Sequence, residues 1–127
     1  MSEVRALIVD DSSVMRKIVE RSLRQAGLES LVIFEAGSGS EGLELLKTQP
    51  VDLIISDINM PTMDGLEFLR QLRAQKLAPD VPVVMITTES SMEFVQQAIQ
   101  AAAKSYIRKP FTAEQVKERV LSLLNAA

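Results

Sequence analysis

Five short apolar runs rich in β-branched residues recur about every 20 to 30 residues, and they constrain this chain more than any other feature. They are Ala6 to Val9, Leu31 to Phe34, Leu53 to Ile55, Val83 to Ile86, and Tyr106 to Ile107. Runs this short and this uniformly apolar predict strands buried on both faces. Between them, apolar residues fall at helical spacing: Val14, Ile18, Val19 and Leu23, then Leu43, Leu45 and Leu46, then Leu66, Leu69 and Leu72. Val116, Val120, Leu123 and Leu124 form one stripe of a last helix that runs nearly to the C-terminus. The alternation predicts a (βα)5 chain, with a doubly wound parallel α/β sheet covered on both faces by right-handed crossover helices.

Punctuation agrees with these limits. Ser12 or Ser13 can cap the first helix, Ser38 the second, and Gly27 sits where a left-handed helix stop belongs. Pro61 and Pro82 fall in connections or at a strand start, and Pro110 follows the last strand, so none interrupts an element. A chain of 127 residues is the size of one domain. The expectation is a single domain over 1–127 with no output domain, since no linker, repeat or low-complexity tract divides it.

Composition narrows the chemistry. Hydrophobic residues make up 46% and charged residues 24%, a balance typical of a folded globular chain. A net charge of −3 offers no basic face for nucleic acid and no attraction to an anionic membrane, so protein partners are expected. Cysteine and histidine are both absent, which removes thiol nucleophiles, Ser-His-Asp catalysis and His-ligated zinc. Oxygen chemistry remains. No segment approaches the roughly 20 apolar residues of a membrane span, and the N-terminus lacks the apolar run of a signal peptide, so a cytoplasmic location is expected.

Sites in such folds lie at the carboxyl ends of the strands, near the point where strand order reverses. Asp10 and Asp11 follow the first run, Asp57 the third, Thr87 the fourth and Lys109 the fifth, so all five are placed on one rim. Three carboxylates gathered there repel one another, and one lysine cannot neutralise them. A divalent cation is the natural remedy. Oxygen-only ligands point to Mg²⁺ or Mn²⁺, with Mg²⁺ preferred because it keeps several waters beside a few carboxylates. Asp57 is then a carboxylate nucleophile able to form an aspartyl-phosphate, with the metal and Lys109 neutralising charge and the Thr87 hydroxyl donating to the phosphoryl group.

Taken singly, each residue has a plainer reading: Asp10-Asp11 as a helix start, Asp57 as a turn residue, Lys109 as a solvated lysine, Tyr106 as a strand aromatic. Their conjunction decides. Val9-Asp10-Asp11-Ser12-Ser13 with Met15-Arg16, Ser56-Asp57-Ile58-Asn59-Met60-Pro61 with Met63-Asp64-Gly65, Thr87, Tyr106 and Lys109-Pro110-Phe111 stand in order on the right elements. Over its whole length the chain resembles the receiver domains of bacterial two-component response regulators, and most closely the stand-alone chemotaxis type.

That resemblance implies a flavodoxin-like sheet of order 2-1-3-4-5 and a phosphoryl donor that is a sensor histidine kinase or phosphotransfer protein. It implies Asp11 and Asp57 as direct metal ligands, Asp10 partly through water, Asn59 through its backbone carbonyl, and Lys109 as the contact to the phosphoryl group. It implies that Asn59 and Glu89 tune the lifetime of the acyl phosphate, and that the Lys109-Pro110 peptide is cis, as in many receivers. It further implies that Thr87 and Tyr106 switch together, altering the face of the fourth helix, fifth strand and fifth helix. That face would control binding of a protein target, the flagellar motor switch being one, by a monomer that catalyses only its own phosphorylation and dephosphorylation. Departures fall near that face: Ala102-Ala103 stands where the family usually has Gly-Ala, and Thr88 where a small residue is common.

Two other functions fit parts of the pattern. A small Mg²⁺-dependent phosphatase also uses an aspartyl-phosphate, but it places an acid/base aspartate two residues after the nucleophile, and Asn59 stands there. A flavin carrier needs a phosphate loop after the first strand and aromatics for the ring, whereas Asp10-Asp11 repels phosphate and aromatic content is 4%.

Overall fold

The computed structural model describes residues 3–25, 27, 30–58, 60, 63–87, 105–108 and 112–124; at 87, 105, 106, 108, 113 and 121–124 the backbone alone is described. Five parallel strands form one sheet: β1 (Val4–Val9), β2 (Leu31–Ala36), β3 (Leu53–Asp57), β4 (Val83–Thr87) and β5 (Ser105–Arg108). Their order is β2-β1-β3-β4-β5, as the family resemblance implies. Helices α1 (Ser13–Gln25), α2 (Gly39–Leu46) and α3 (Gly65–Ala74) and the C-terminal helix (Ala113–Leu124) cover it. The helix expected between β4 and β5 falls on residues outside those described.

The uninterrupted apolar runs have a simple cause. Successive side chains on a strand point to opposite faces, and here each face meets helices. Leu7, Val9, Ile54, Val83 and Met85 pack toward Leu43, Leu46, Leu66, Phe68, Leu69 and Leu72 of α2 and α3. Ala6, Ile8, Leu53, Ile55, Val84, Ile86 and Ile107 pack toward Val19 and Leu23 of α1 and Val116 and Val120 of the C-terminal helix. Burying one such Leu, Ile or Val contributes about 1.5–3 kcal/mol, so a polar residue on either face of a central strand is costly.

The expected caps form. The Ser12 hydroxyl accepts the Met15 N–H at 3.2 Å and the Ser38 hydroxyl the Glu41 N–H at 3.2 Å. Gly27 adopts φ 100, the left-handed conformation that ends α1 without a Cβ clash. On α1, Val14 and Ile18 are 68% and 41% exposed, and the inward face is Val19, Ser22 and Leu23. Spacings of four residues define either of two adjacent helix stripes. The one through Val14 and Ile18 lies about a quarter-turn from the core face.

Strand register sets the level of the rim. Val9 pairs with Ala36 on one side and Ser56 on the other, Asp57 with Ile86, and Thr87 with Arg108. After β1 the chain crosses to one edge for β2 and then to the opposite side for β3, so the reversal falls between β1 and β3. The residues following β1 and ending β3 face the crevice this creates.

Candidate functional site

Asp10, Asp11 and Asp57 meet in that crevice, each offering a carboxylate oxygen within 4.8 Å of the others. Asp10 and Asp57 are buried, at 2% and 4% exposure, while Asp11 faces solvent. Asp57 is the last residue of β3 rather than the first after it, so the strand ladder itself fixes its backbone. Ser56, fully buried beside it, donates its hydroxyl to the Asp57 backbone carbonyl at 3.0 Å.

Asp10 is held from several sides. Its N–H donates to the Ala36 carbonyl at 3.1 Å, and its Oδ1 accepts the Ser12 N–H at 2.9 Å. Its carbonyl accepts a 2.6 Å hydrogen bond from Arg16 Nη1. The Arg16 Nε donates to Glu35 Oε1 at 2.9 Å, and Lys17 Nζ lies 3.2 Å from Glu35 Oε2. The Arg16 hydrogen bond holds the Glu35 carboxyl below its ordinary range; burial pulls the other way, and Lys17 adds to the lowering.

Behind Asp57 the backbone of α3 comes in close. The Gly65 N–H donates to the Ile58 carbonyl at 2.8 Å, and the Asp64 carboxylate caps α3 by accepting the Glu67 N–H at 2.9 Å. A Cβ at residue 65 would overlap the Asp57 carbonyl oxygen. Gly65 therefore permits the helix to begin against the strand that carries Asp57. Sequence reasoning used Gly65 and Arg16 only as parts of a motif; Glu35, a carboxylate inside a mostly apolar strand, was the local signal of a partner.

Thr87 closes β4, one residue beyond the level of Asp57, and Tyr106 lies on β5 paired with Met85. The side chains of both lie outside the described structure, as do Asn59, Pro61, Thr88, Glu89, Ala102, Ala103, Lys109, Pro110 and Phe111. Three convergent hard oxygen donors with no nitrogen or sulfur ligand are a donor set that can hold a divalent cation such as Mg²⁺ or Mn²⁺.

An acidic cluster at the switch point of a 2-1-3-4-5 parallel sheet is the architecture of a phospho-receiver. The family model for the response regulator receiver domain matches residues 6–121, and the chain belongs to that family. Among its relatives is a chemotaxis protein CheY homologue of Campylobacter jejuni, 40% identical over 122 residues, covering 95% of this chain and 92% of the relative. The chemotaxis protein CheY4 of Vibrio cholerae has the same fold, with a TM-score of 0.84 and 34% identity over 96% of this chain and 99% of that one. A CheY-like receiver domain protein of Methanospirillum hungatei superposes with a TM-score of 0.85 at 30% identity, covering 98% of this chain and 96% of that one. Receiver domains of this kind are signalling switches rather than enzymes acting on a separate substrate.

Proposed function

We propose that this chain is a phospho-receiver in which Asp57 takes a phosphoryl group from the phosphohistidine of a sensor kinase or phosphotransfer protein. The single observation that carries this is the convergence of Asp10, Asp11 and the strand-end carboxylate of Asp57 within 4.8 Å. An Asp57 carboxylate oxygen attacks phosphorus, the phosphorus–nitrogen bond of the donor breaks, and the imidazole leaves with the bond electrons. Asp10, Asp11 and Asp57, with the Asn59 carbonyl, would hold Mg²⁺, which supplies positive charge for the transferring group.

The chain's own residues supply the rest. Burial of Asp10 and Asp57 on one side limits approach to the face where Asp11 is exposed. Val14 and Ile18, exposed on α1, which begins just after the β1 end that carries Asp10 and Asp11, offer an apolar surface to a donor protein. Lys109 meets the phosphoryl oxygens, and the Thr87 hydroxyl donates to them. Thr87 and Tyr106 then move together, shifting a pre-existing equilibrium between two packings of the β4–β5 and C-terminal helix face. Asn59 and Glu89 set how long the acyl phosphate lasts. Chemotaxis is the process that best suits the output, with a flagellar motor switch as target, because the Campylobacter and Vibrio relatives carry that name.

Beryllofluoride with Mg²⁺, which mimics the phosphoryl group, tests the reading. Amide resonances of Asp57, Thr87 and Tyr106 should shift together and saturate at one equivalent. Shifts confined to residues remote from this rim would refute it.

A further inference from the structure

The Arg16 guanidinium bridges Asp10, just after β1, and Glu35, on β2. Nη1 donates to the Asp10 carbonyl at 2.6 Å and Nε to Glu35 Oε1 at 2.9 Å, with the arginine side chain 18% exposed. The Asp10 carbonyl belongs to the peptide that joins Asp10 to Asp11. Because that peptide is planar, fixing its oxygen fixes the direction in which the chain leaves Asp10 and enters Asp11. The backbone that carries two carboxylates of the acidic rim is thus fixed by one cation bonded to its carbonyl. Glu35 anchors the other end of the fork: it lies on β2 in register with Ile8 and is itself held by Lys17 at 3.2 Å.

We propose that Arg16 is a positioning residue for the divalent-cation site, a clasp between Glu35 and the Asp10–Asp11 peptide that presents both carboxylates toward Asp57. The inference rests on the reading of this rim as a metal centre. A planar fork with several fixed donors can serve both partners at once, whereas a lysine ammonium in the same place reaches one or the other. Groups that orient ligands from behind commonly govern affinity as strongly as some ligands do.

The sign of the effect separates a clasp from a mere charge. A cation this close to the rim repels a divalent metal, so if charge were its whole influence, Arg16→Met would tighten Mg²⁺ binding. The clasp predicts the opposite. Mg²⁺ affinity is measured on the full unphosphorylated chain by titrating MgCl₂ and following amide resonances. For the parent chain, shifts should centre on Asp10, Asp11 and Asp57. Arg16→Met should raise the Kd about tenfold. Arg16→Lys, which keeps the charge and is the less disruptive variant for folding, should weaken binding severalfold. Glu35→Gln keeps an acceptor for Nε and should stay within about twofold of the parent. Arg24→Met, which removes an exposed charge paired with Glu20 at the far end of α1, should leave affinity unchanged. Tighter or unaltered binding in Arg16→Met, or full parental affinity in Arg16→Lys, overturns the clasp while leaving the metal centre standing. A parent chain that shows no Mg²⁺ response overturns the metal centre, and the clasp with it.

Discussion

Among the five glycines, Gly65 leaves the least room for a side chain. It begins α3 directly behind the phosphoacceptor strand, and a Cβ there would overlap the Asp57 carbonyl oxygen and lie 2.7 Å from both Ile58 Cα and Met85 Cε. Two of these three neighbours are backbone atoms that cannot turn aside; only the Met85 methyl can. Gly65→Ala must therefore push α3 away from β3 or bend the chain at Asp57. Overpacking of this kind costs about 1–3 kcal/mol. The gain of alanine over glycine in a helix offsets up to ~1 kcal/mol, and less at a first helical position. A net loss of about 2 kcal/mol should lower the Tm of a domain this size by about 6–10 °C. Thermal and urea unfolding followed by circular dichroism measure it, with an unchanged urea slope showing that the folded state keeps its compactness. Gly27→Ala is the contrasting control. No atom lies within 4 Å of its added Cβ, yet φ 100 strains an L-residue by about 1–2 kcal/mol, so its loss comes from conformation alone. A Gly65→Ala chain as stable as the parent would show that α3 has room at the end of β3, and the packing account of the Asp57 site would fail.

Two further predictions concern charge. The folded-state pKa of Glu35 is lowered, so its stabilisation is fully present above the ordinary carboxyl value near 4.5 and is lost as pH falls through the folded value. Glu35→Gln should accordingly cost ~1 kcal/mol at neutral pH, a deficit that shrinks as pH falls through the folded value; a Tm deficit that stays constant down the acid range would contradict the ion-pair origin. Lys109→Ala should still accept a phosphoryl group from acetyl phosphate yet lose the shifts at Thr87 and Tyr106 that accompany it, and an unaltered response would remove Lys109 from the switch.

Much of this architecture was legible in the sequence because burial on both faces leaves an unbroken apolar signature. That is why all five strands were found. Their ends were less visible: β2 continues to Ala36 and β3 through Ser56 to Asp57, because ladder hydrogen bonds extend into residues whose polarity hides them from a hydrophobic pattern. Asp10, Asp11 and Asp57 could be gathered from sequence since each follows or ends a strand, and a parallel sheet aligns those ends. The inward face of α1 could not be fixed, since Val14–Ile18 and Val19–Leu23 show the same spacing and tertiary packing alone chooses between them. Nor could the Arg16–Glu35 bond, which joins a helix to a strand and leaves no periodic trace. The tight fit at Gly65 depends on how near α3 comes to β3, a distance that no local rule supplies.

The most direct test of the central claim is the intact mass of the chain after incubation with acetyl phosphate and Mg²⁺. The account predicts a single added phosphoryl group that is labile to hydroxylamine, maps to Asp57, requires the divalent ion, and is absent from Asp57→Asn. Phosphorylation that persists in Asp57→Asn, or that proceeds equally well with the metal chelated, would contradict it.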